Sequence, residues 1–436
     1  MEILLTFLYT LLFIFLIYKI KFFHIEGFSV KAVLAVFLLK IMAGVAMYFI
    51  YTYYYTDRAT ADIFKYFDDS KVMYDALWNK PSDFIKMIFS IQNDTPYFDY
   101  YYHQMNHWTR VYESNIYNDS HTIIRINAVM RMFSFGYFNV HTVFMCFLSL
   151  TGLTAIYRFI APYMKDKKRL LFLAVFLIPS VVFWGSGVLK EAILLFAMGI
   201  MLYSVSKLLN KKHIIRNLLW LLISLVLLMY TKYYIFIIII PITIGYVWCK
   251  LTSEKYFYLK YGMVLLLFIV AGLNIHYIFP DFDMLKILAM KQNDFVGLAK
   301  AMNSGSLISE NLLQPTLYDV IIHIPVALFN SLVRPFIFEA DSAVVLFAAL
   351  ENIFILLLII VCLVFASKKI RYKSEFLFCV LFFGALYILT GLTTPVFGAM
   401  VRYKVPAMPF MLISIFILLD KNKILKHVPF LRKIVA

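Results

Sequence analysis

Four aspartates, Asp57, Asp62, Asp68 and Asp69, crowd the stretch that follows the aromatic run Tyr53-Tyr54-Tyr55. If that stretch is helical, Asp62, Tyr66 and Asp69 share a face through their four- and three-residue spacing, while Asp68 points elsewhere. A carboxylate held in this way can act as general base toward a sugar hydroxyl, which makes Asp62 and Asp69 candidate catalytic residues, with Asp57 a further carboxylate just ahead of them. The competing reading is a solvated loop in which Arg58, Lys65 and Lys71 pair locally with the same aspartates.

A second constellation runs Pro179-Ser180-Val181-Val182-Phe183-Trp184-Gly185-Ser186-Gly187-Val188-Leu189-Lys190-Glu191 and interrupts an apolar stretch. Ionisable side chains at such depth are expensive and commonly line a cavity or pair with each other. Lys190 is a candidate for holding a phosphate or pyrophosphate, with Glu191, Trp184 and Tyr66 in support, because an ammonium in low dielectric attracts phosphoryl oxygens strongly. The plainer alternative is a turn bent at Gly185 and Gly187, with Lys190 snorkelling to the interface.

Lys232, Arg334, Arg402 and Lys404 stand where helices are expected to end on the outer side, a face that membrane topology keeps poor in cations. Each alone reads as an interface anchor. Together, beside acidic loops, they suggest an anion site for a lipid phosphate. His103 and His107 are four apart, a spacing that can place two imidazoles on one helical face for a metal, but the Glu of H-E-x-x-H is missing. The Asp68/Asp69 pair could instead hold a hard divalent cation such as Mg or Mn. No Walker or dinucleotide-binding glycine pattern occurs, which argues against direct use of ATP or NAD.

The elements that must position these residues are dictated by composition. In 436 residues, 63% are hydrophobic and only 15% charged, more apolar surface than one soluble core of this length can hide. The pattern implies an all-α, polytopic membrane protein of about eleven spans, near 3–18, 29–54, 138–160, 170–186, 191–206, 217–231, 234–249, 261–279, 342–366, 375–392 and 405–419. With the N-terminus outside the cytoplasm and the C-terminus inside, every basic cluster falls on the inner side: Lys165 to Arg169, Lys207 to Arg216, Lys250 to Lys260, Lys368 to Lys373 and the tail Lys421 to Lys433. The net charge of +16 is therefore scattered among short loops rather than gathered on one exposed face, which excludes a nucleic-acid partner.

Residues 1–436 then form one membrane-embedded domain, with extracytoplasmic segments at 56–121, the expected catalytic loop, and 280–341. The first carries Pro96-Tyr97-Phe98-Asp99-Tyr100-Tyr101-Tyr102 and lacks the Gly/Ser content of a flexible linker, so it is expected to fold, as helices lying on the membrane. The 18% aromatic content suits interfacial belts. Residues 170–186, 191–206 and 234–249 are short of the roughly 20 needed to cross squarely, as helices that line a cavity often are. The first apolar stretch lacks a basic lead and a small-residue cleavage site and reads as a retained anchor. Cys146, Cys249, Cys362 and Cys379 lie in or beside apolar segments with no C-x-x-C pair, and suggest neither disulfide nor metal. No internal repeat supports an inverted-repeat transporter.

Three places carry a family resemblance: the Asp/Tyr-rich stretch Asp57 to Asp75, the turn from Pro179 to Glu191, and Arg402-Tyr403-Lys404-Val405-Pro406-Ala407-Met408-Pro409-Phe410. Ile324-Pro325 through Arg334-Pro335-Phe336 adds to it. The pattern resembles the polytopic membrane glycosyltransferases of the C-type superfamily and the related bacterial exopolysaccharide and O-antigen polymerases. That resemblance implies a lipid-linked sugar donor, a glycan or lipid acceptor, and a place in the bacterial cytoplasmic membrane. It also implies an acidic base early in the first outer loop, here Asp57 or Asp62, although the adjacent Asp-Glu pair of many protein mannosyltransferases is absent. Lys190, Lys232, Arg334 and Arg402 would engage the donor phosphate. The expected function is sugar transfer from a polyprenyl-(pyro)phosphate donor on the outer face, in cell-surface glycan synthesis. Repeat-unit polymerisation is the nearest alternative, and a secondary transporter or lipid-linked sugar flippase is the alternative from another class.

Overall fold

Pro179 and Pro406 each interrupt a stretch that would otherwise run on as one helix, and these two breaks organise the middle of the molecule. The computed structural model describes residues 1–109, 117–301, 307–308 and 311–428. The chain is all-helical among them, apart from two isolated bridges, Leu307 with Val396 and Ala366 with Leu419. Parts of the expected outer segments, and the end of the basic tail including Lys433, lie outside the described residues.

The N-terminal helices are α1 (Glu2–Lys19) and α2 (Val30–Phe49), the latter continuing as a wider π turn over Ile50–Tyr54. Between the second and third spans, where an outer segment is expected over 56–121, the chain folds into α3 (Asp62–Asn79), α4 (Pro81–Phe89), α5 (Pro96–Tyr102) and α6 (Ser120–Ser134). Next come α7 (Phe138–Ile160), α8 (Lys168–Phe176), α9 (Pro179–Trp184), α10 (Lys190–Leu209), α11 (Ile214–Thr231), α12 (Tyr233–Leu251) and α13 (Phe257–Asn274). The C-terminal third holds α14 (Met284–Ala301), α15 (Leu317–Val333), α16 (Ala343–Val364), α17 (Lys373–Thr393), α18 (Phe397–Tyr403), α19 (Met408–Leu418) and α20 (Lys421–His427).

Ten helical spans among the described residues are long and apolar enough to cross a membrane, so the chain is a multi-pass membrane protein on length and composition. The eleventh expected span, 170–186, is not among them, because it is interrupted. A proline ring supplies no N–H and crowds the preceding turn, so the chain ends α8 at Phe176 and restarts with Pro179 in the first turn of α9. The two pieces are almost wholly buried in protein. Backbone groups freed by such a break can be tolerated at that depth only because neighbouring helices surround them. The last span is broken in the same way, α18 giving way to a 3-10 turn at Val405–Ala407 before α19. The two broken helices lie side by side, α8 against α19 and α9 against the Val405–Ala407 turn.

Around them, α7 and α10 form the inner wall. A Cβ on Gly199 would stand 2.0 Å from the Gly152 carbonyl oxygen, so glycine at this crossing is what lets the two backbones touch. By contrast α1, α11, α13 and α16 leave rows of Leu, Ile and Phe exposed, as helices bordered by lipid do. Within the expected second outer segment, α15 is an apolar helix built into the bundle: Gly391 of α17 packs against the Ala327 backbone, and Asn352 of α16 donates to the Pro335 carbonyl at 3.5 Å.

Candidate functional site

Arg402 is the hub of a charge network that draws on elements far apart in sequence. Its Nε and Nη2 donate to the two oxygens of Glu191 at 2.8 and 2.9 Å, a bidentate pairing, and its Nη1 donates to Asp62 Oδ2 at 2.5 Å. Glu191 also receives the Lys232 ammonium at 3.2 Å, and Lys232 sits 3.8 Å above the Tyr403 ring. Lys65 approaches the other Asp62 oxygen at 3.5 Å. Beside this group Lys190 pairs with Asp119 at 2.7 Å, reaches Ser120 Oγ at 3.4 Å, and lies 4.9 Å from the Tyr66 ring centre. Trp184 flanks the hub, 5.8 Å from the Arg402 guanidinium.

Local helix electrostatics explains much of this placement. The positive end of a helix dipole is its N-terminus, where carboxylates are favoured, and cations suit the C-terminus. Asp62 begins α3, Asp119 is the N-cap of α6 and Glu191 is in the first turn of α10. Lys232 is the C-cap of α11 and Arg402 lies in the last turn of α18. Two cations stand against the rule: Lys190 is the first residue of α10 and is answered by Asp119, and Lys232, which also N-caps α12, is answered by Glu191. Helix ends therefore converge here with alternating charge.

The balance within the network favours ionised carboxylates. Burial works to raise the Asp62 carboxyl, but Arg402, Lys65 and Lys190 outweigh it and hold the group well below the usual carboxylate range. A carboxylate so stabilised is a weak base while Arg402 holds it. Any ligand that competes for the guanidinium makes Asp62 more basic.

The structure thus brings together Asp62, Tyr66, Trp184, Lys190, Glu191, Lys232 and Arg402, and separates the other sequence candidates from them. Asp57 is exposed, its carboxylate accepting from the Ala59 amide at 3.0 Å in a local turn. Asp69 is buried and accepts the backbone amides of Asn106 and His107 at 2.9 and 2.8 Å, which ties α3 to the chain that follows α5. Asp68 is paired bidentately with Arg58 at the surface. The two neighbouring aspartates face different partners rather than one common ion. His103 closes the end of α5, while His107 stands 3.6 Å from Asp69. Among the described residues no group of three or more His, Cys, Asp or Glu side chains stands close enough to hold a metal ion.

Arg334 is engaged by Glu339 five residues on, with its Nε at 2.8 Å. Lys404 turns into the bundle, donating to the Ser331 carbonyl at 3.1 Å and to Asn352 Oδ1 at 3.0 Å. It fastens the α18–α19 break to α15 and α16 rather than facing the network. Nearby, Glu351 of α16 accepts from both the amide and the hydroxyl of Ser180, fastening the start of α9. Lys404 and Glu351 accordingly hold the two broken helices that present Arg402 and Trp184.

Sequence reasoning missed Asp119, Tyr234 and Tyr403. Asp119-Ser120 ahead of the apolar pair Ile123-Ile124 is a helix-start signature that could have drawn attention to Asp119. No comparable signal marks the tyrosines, which matter only because folding sets the Lys232 ammonium between them, 5.7 Å from Tyr234 and 3.8 Å from Tyr403. Compared with protein-family models, curated proteins and solved structures, the chain matches none, so its function rests on the chemistry of this site.

Proposed function

We propose that the chain is a membrane glycosyltransferase that takes a sugar from a lipid-linked phosphate donor, acting on the outer face of a bacterial cytoplasmic membrane in the assembly of a surface glycan. The observation that supports this reading is the Arg402 network, in which a guanidinium and two ammonium ions are gathered beside an ionised aspartate at the ends of apolar helices. Arg402 has five N–H donors. Three are engaged by Glu191 and Asp62, which leaves two for phosphate oxygens.

The acceptor hydroxyl oxygen bonds to the anomeric carbon as the bond from that carbon to the phosphate oxygen breaks. The electron pair leaves with the lipid phosphate, where Arg402, Lys232 and Lys190 balance the developing charge. The phosphate draws Arg402 away from Asp62, and the freed carboxylate takes the acceptor proton. Glu191 keeps its two bonds to the guanidinium while the bond to Asp62 gives way. Asp57, whose carboxylate turns back on the Ala59 amide, takes no part. Adding one sugar and joining preassembled repeat units share this chemistry, and the second differs in transferring an oligosaccharide from the lipid phosphate instead of a single sugar.

The test is transfer of radiolabelled sugar from polyprenyl-phosphate donors by the full chain in lipid. Asp62→Asn should lose activity by about 100-fold or more, while Asp57→Asn should keep it. Loss in neither variant would overturn the assignment.

One observation favours a second reading. Side-by-side broken helices are a feature of transporters, whose sites sit between interrupted spans. Under that reading, sealed vesicles would accumulate labelled lipid-linked sugar on one side with no new glycosidic bond.

A further inference from the structure

At the far end of α19 from Arg402, three loops that are remote in sequence enclose a cavity of about 450 Å³. The loops are 163–167, 367–372 and 419–422, each from a basic cluster. Eleven helical residues separate the cavity from the turn after Arg402, about 16 Å at 1.5 Å per residue, so it is not part of the charge network.

The charges lining it behave differently from those around Arg402. Lys167 is committed to structure: its ammonium donates to the carbonyls of Phe416, Ile417 and Leu419 at 3.0, 3.1 and 2.6 Å, closing the end of α19. Asp420 is likewise committed, capping α20 through the amides of Asn422 and Lys423. Lys369 and Arg371 have no carboxylate partner among the described residues, and Lys421 makes only a long contact to the Asp166 carbonyl at 3.5 Å. With Asp166 as the one carboxylate left over, the lining keeps an excess of positive charge. Tyr163 and Tyr372, their ring centres 5.4 Å apart, form an aromatic wall.

We propose that this cavity binds a phosphate-bearing anion, either the headgroup of an anionic phospholipid or a soluble phosphate compound. Three cations without a carboxylate partner among the described residues line a polar hollow at a helical-bundle end, which suits the charge and acceptor oxygens of a phosphate and leaves room for the group that carries it. Lys421 fixes the orientation, since it alone of the three is half-buried, and Lys369 and Arg371 close over the exposed side.

The test uses the full chain in two settings. In nanodiscs, the thermal midpoint is compared between phosphatidylcholine alone and phosphatidylcholine with phosphatidylglycerol. In detergent, binding of inorganic pyrophosphate is titrated. The variant Lys369→Gln/Arg371→Gln/Lys421→Gln removes the free cations and leaves Lys167 in place. Lys207→Gln/Lys211→Gln/Lys212→Gln removes equal charge from another loop. A response to phosphatidylglycerol that only the first variant loses supports a lipid headgroup. Saturable pyrophosphate binding that the first variant weakens about 10-fold or more supports a soluble phosphate. No response to either probe, or equal loss in both variants, overturns the site. A first variant that no longer unfolds cooperatively is replaced by Arg371→Gln alone, whose smaller loss supports the site and whose unchanged binding counts against it.

Discussion

Arg402 and Lys40 are both cations inside the same bundle, and their surroundings could hardly differ more. Arg402 meets two carboxylates and shares Glu191 with a second cation. Lys40, fully buried in α2, has no hydrogen-bond partner among the described residues, and the hydroxyls of Thr142 and Ser149 on the facing helix α7 are equally unanswered. Removing one member of a buried pair strands the other charge, whereas removing a lone buried charge relieves a desolvation cost. The difference teaches that burial alone does not mark a functional cation here. What distinguishes the Arg402 region is reciprocal placement by several helix ends.

The largest effect that would sharpen this contrast is expected for Arg402→Ala. It leaves Glu191 and Asp62 without their main partner and should lower stability by about 3–5 kcal/mol in reversible unfolding. Lys40→Met should do the opposite, raising stability by about 1–3 kcal/mol, because a similarly shaped apolar side chain replaces an unpartnered ammonium. A destabilising Lys40→Met would break the comparison and give Lys40 a partner of its own.

A pH titration separates the regions further. The folded state holds the Asp62 carboxyl below its ordinary value, so its contribution is fully present above the unfolded pKa of about 4 and is lost as pH falls toward the lower folded value. The stability gap between the parent and Asp62→Asn should therefore stay constant from pH 8 to about pH 5 and narrow only in stronger acid. A gap that closes near neutrality would show that Asp62 is not held ionised by Arg402. The smallest effect is expected at the surface, where Asp68→Asn releases the exposed Arg58 and should change stability by less than about 1 kcal/mol.

Much of this arrangement was legible in the sequence, for reasons that differ from residue to residue. Long apolar runs announce themselves, so ten of the expected spans fold as spans. The eleventh run broke because its apolar residues continue through Pro179, and hydropathy counts apolar residues without registering a missing N–H. Charge out of place in apolar surroundings drew attention to Lys190, Lys232 and Arg402, and folding gathers all three around Asp62 and Glu191. The same reasoning gathered Arg334 and Lys404 with them, because residue type and position cannot reveal that Glu339 closes back on Arg334 or that Lys404 turns toward Asn352. The face shared by Asp62, Tyr66 and Asp69 is real, but α3 is long enough for its first turn to meet Arg402 while its third meets the Asn106–His107 backbone. Long-range pairings such as Asp62 with Arg402 leave no local trace.

The central claim is that the Arg402 network is where a lipid-linked sugar phosphate reacts. Its most direct test is single-turnover transfer of labelled sugar from a polyprenyl-phosphate donor, comparing the parent with Arg402→Lys and with Lys404→Gln. Arg402→Lys keeps a charge but loses the bidentate fork, and should cut the rate by about 100-fold or more. Lys404→Gln, which alters only the support of the broken helix, should cut it far less. Equal rates in the parent and Arg402→Lys would contradict the account.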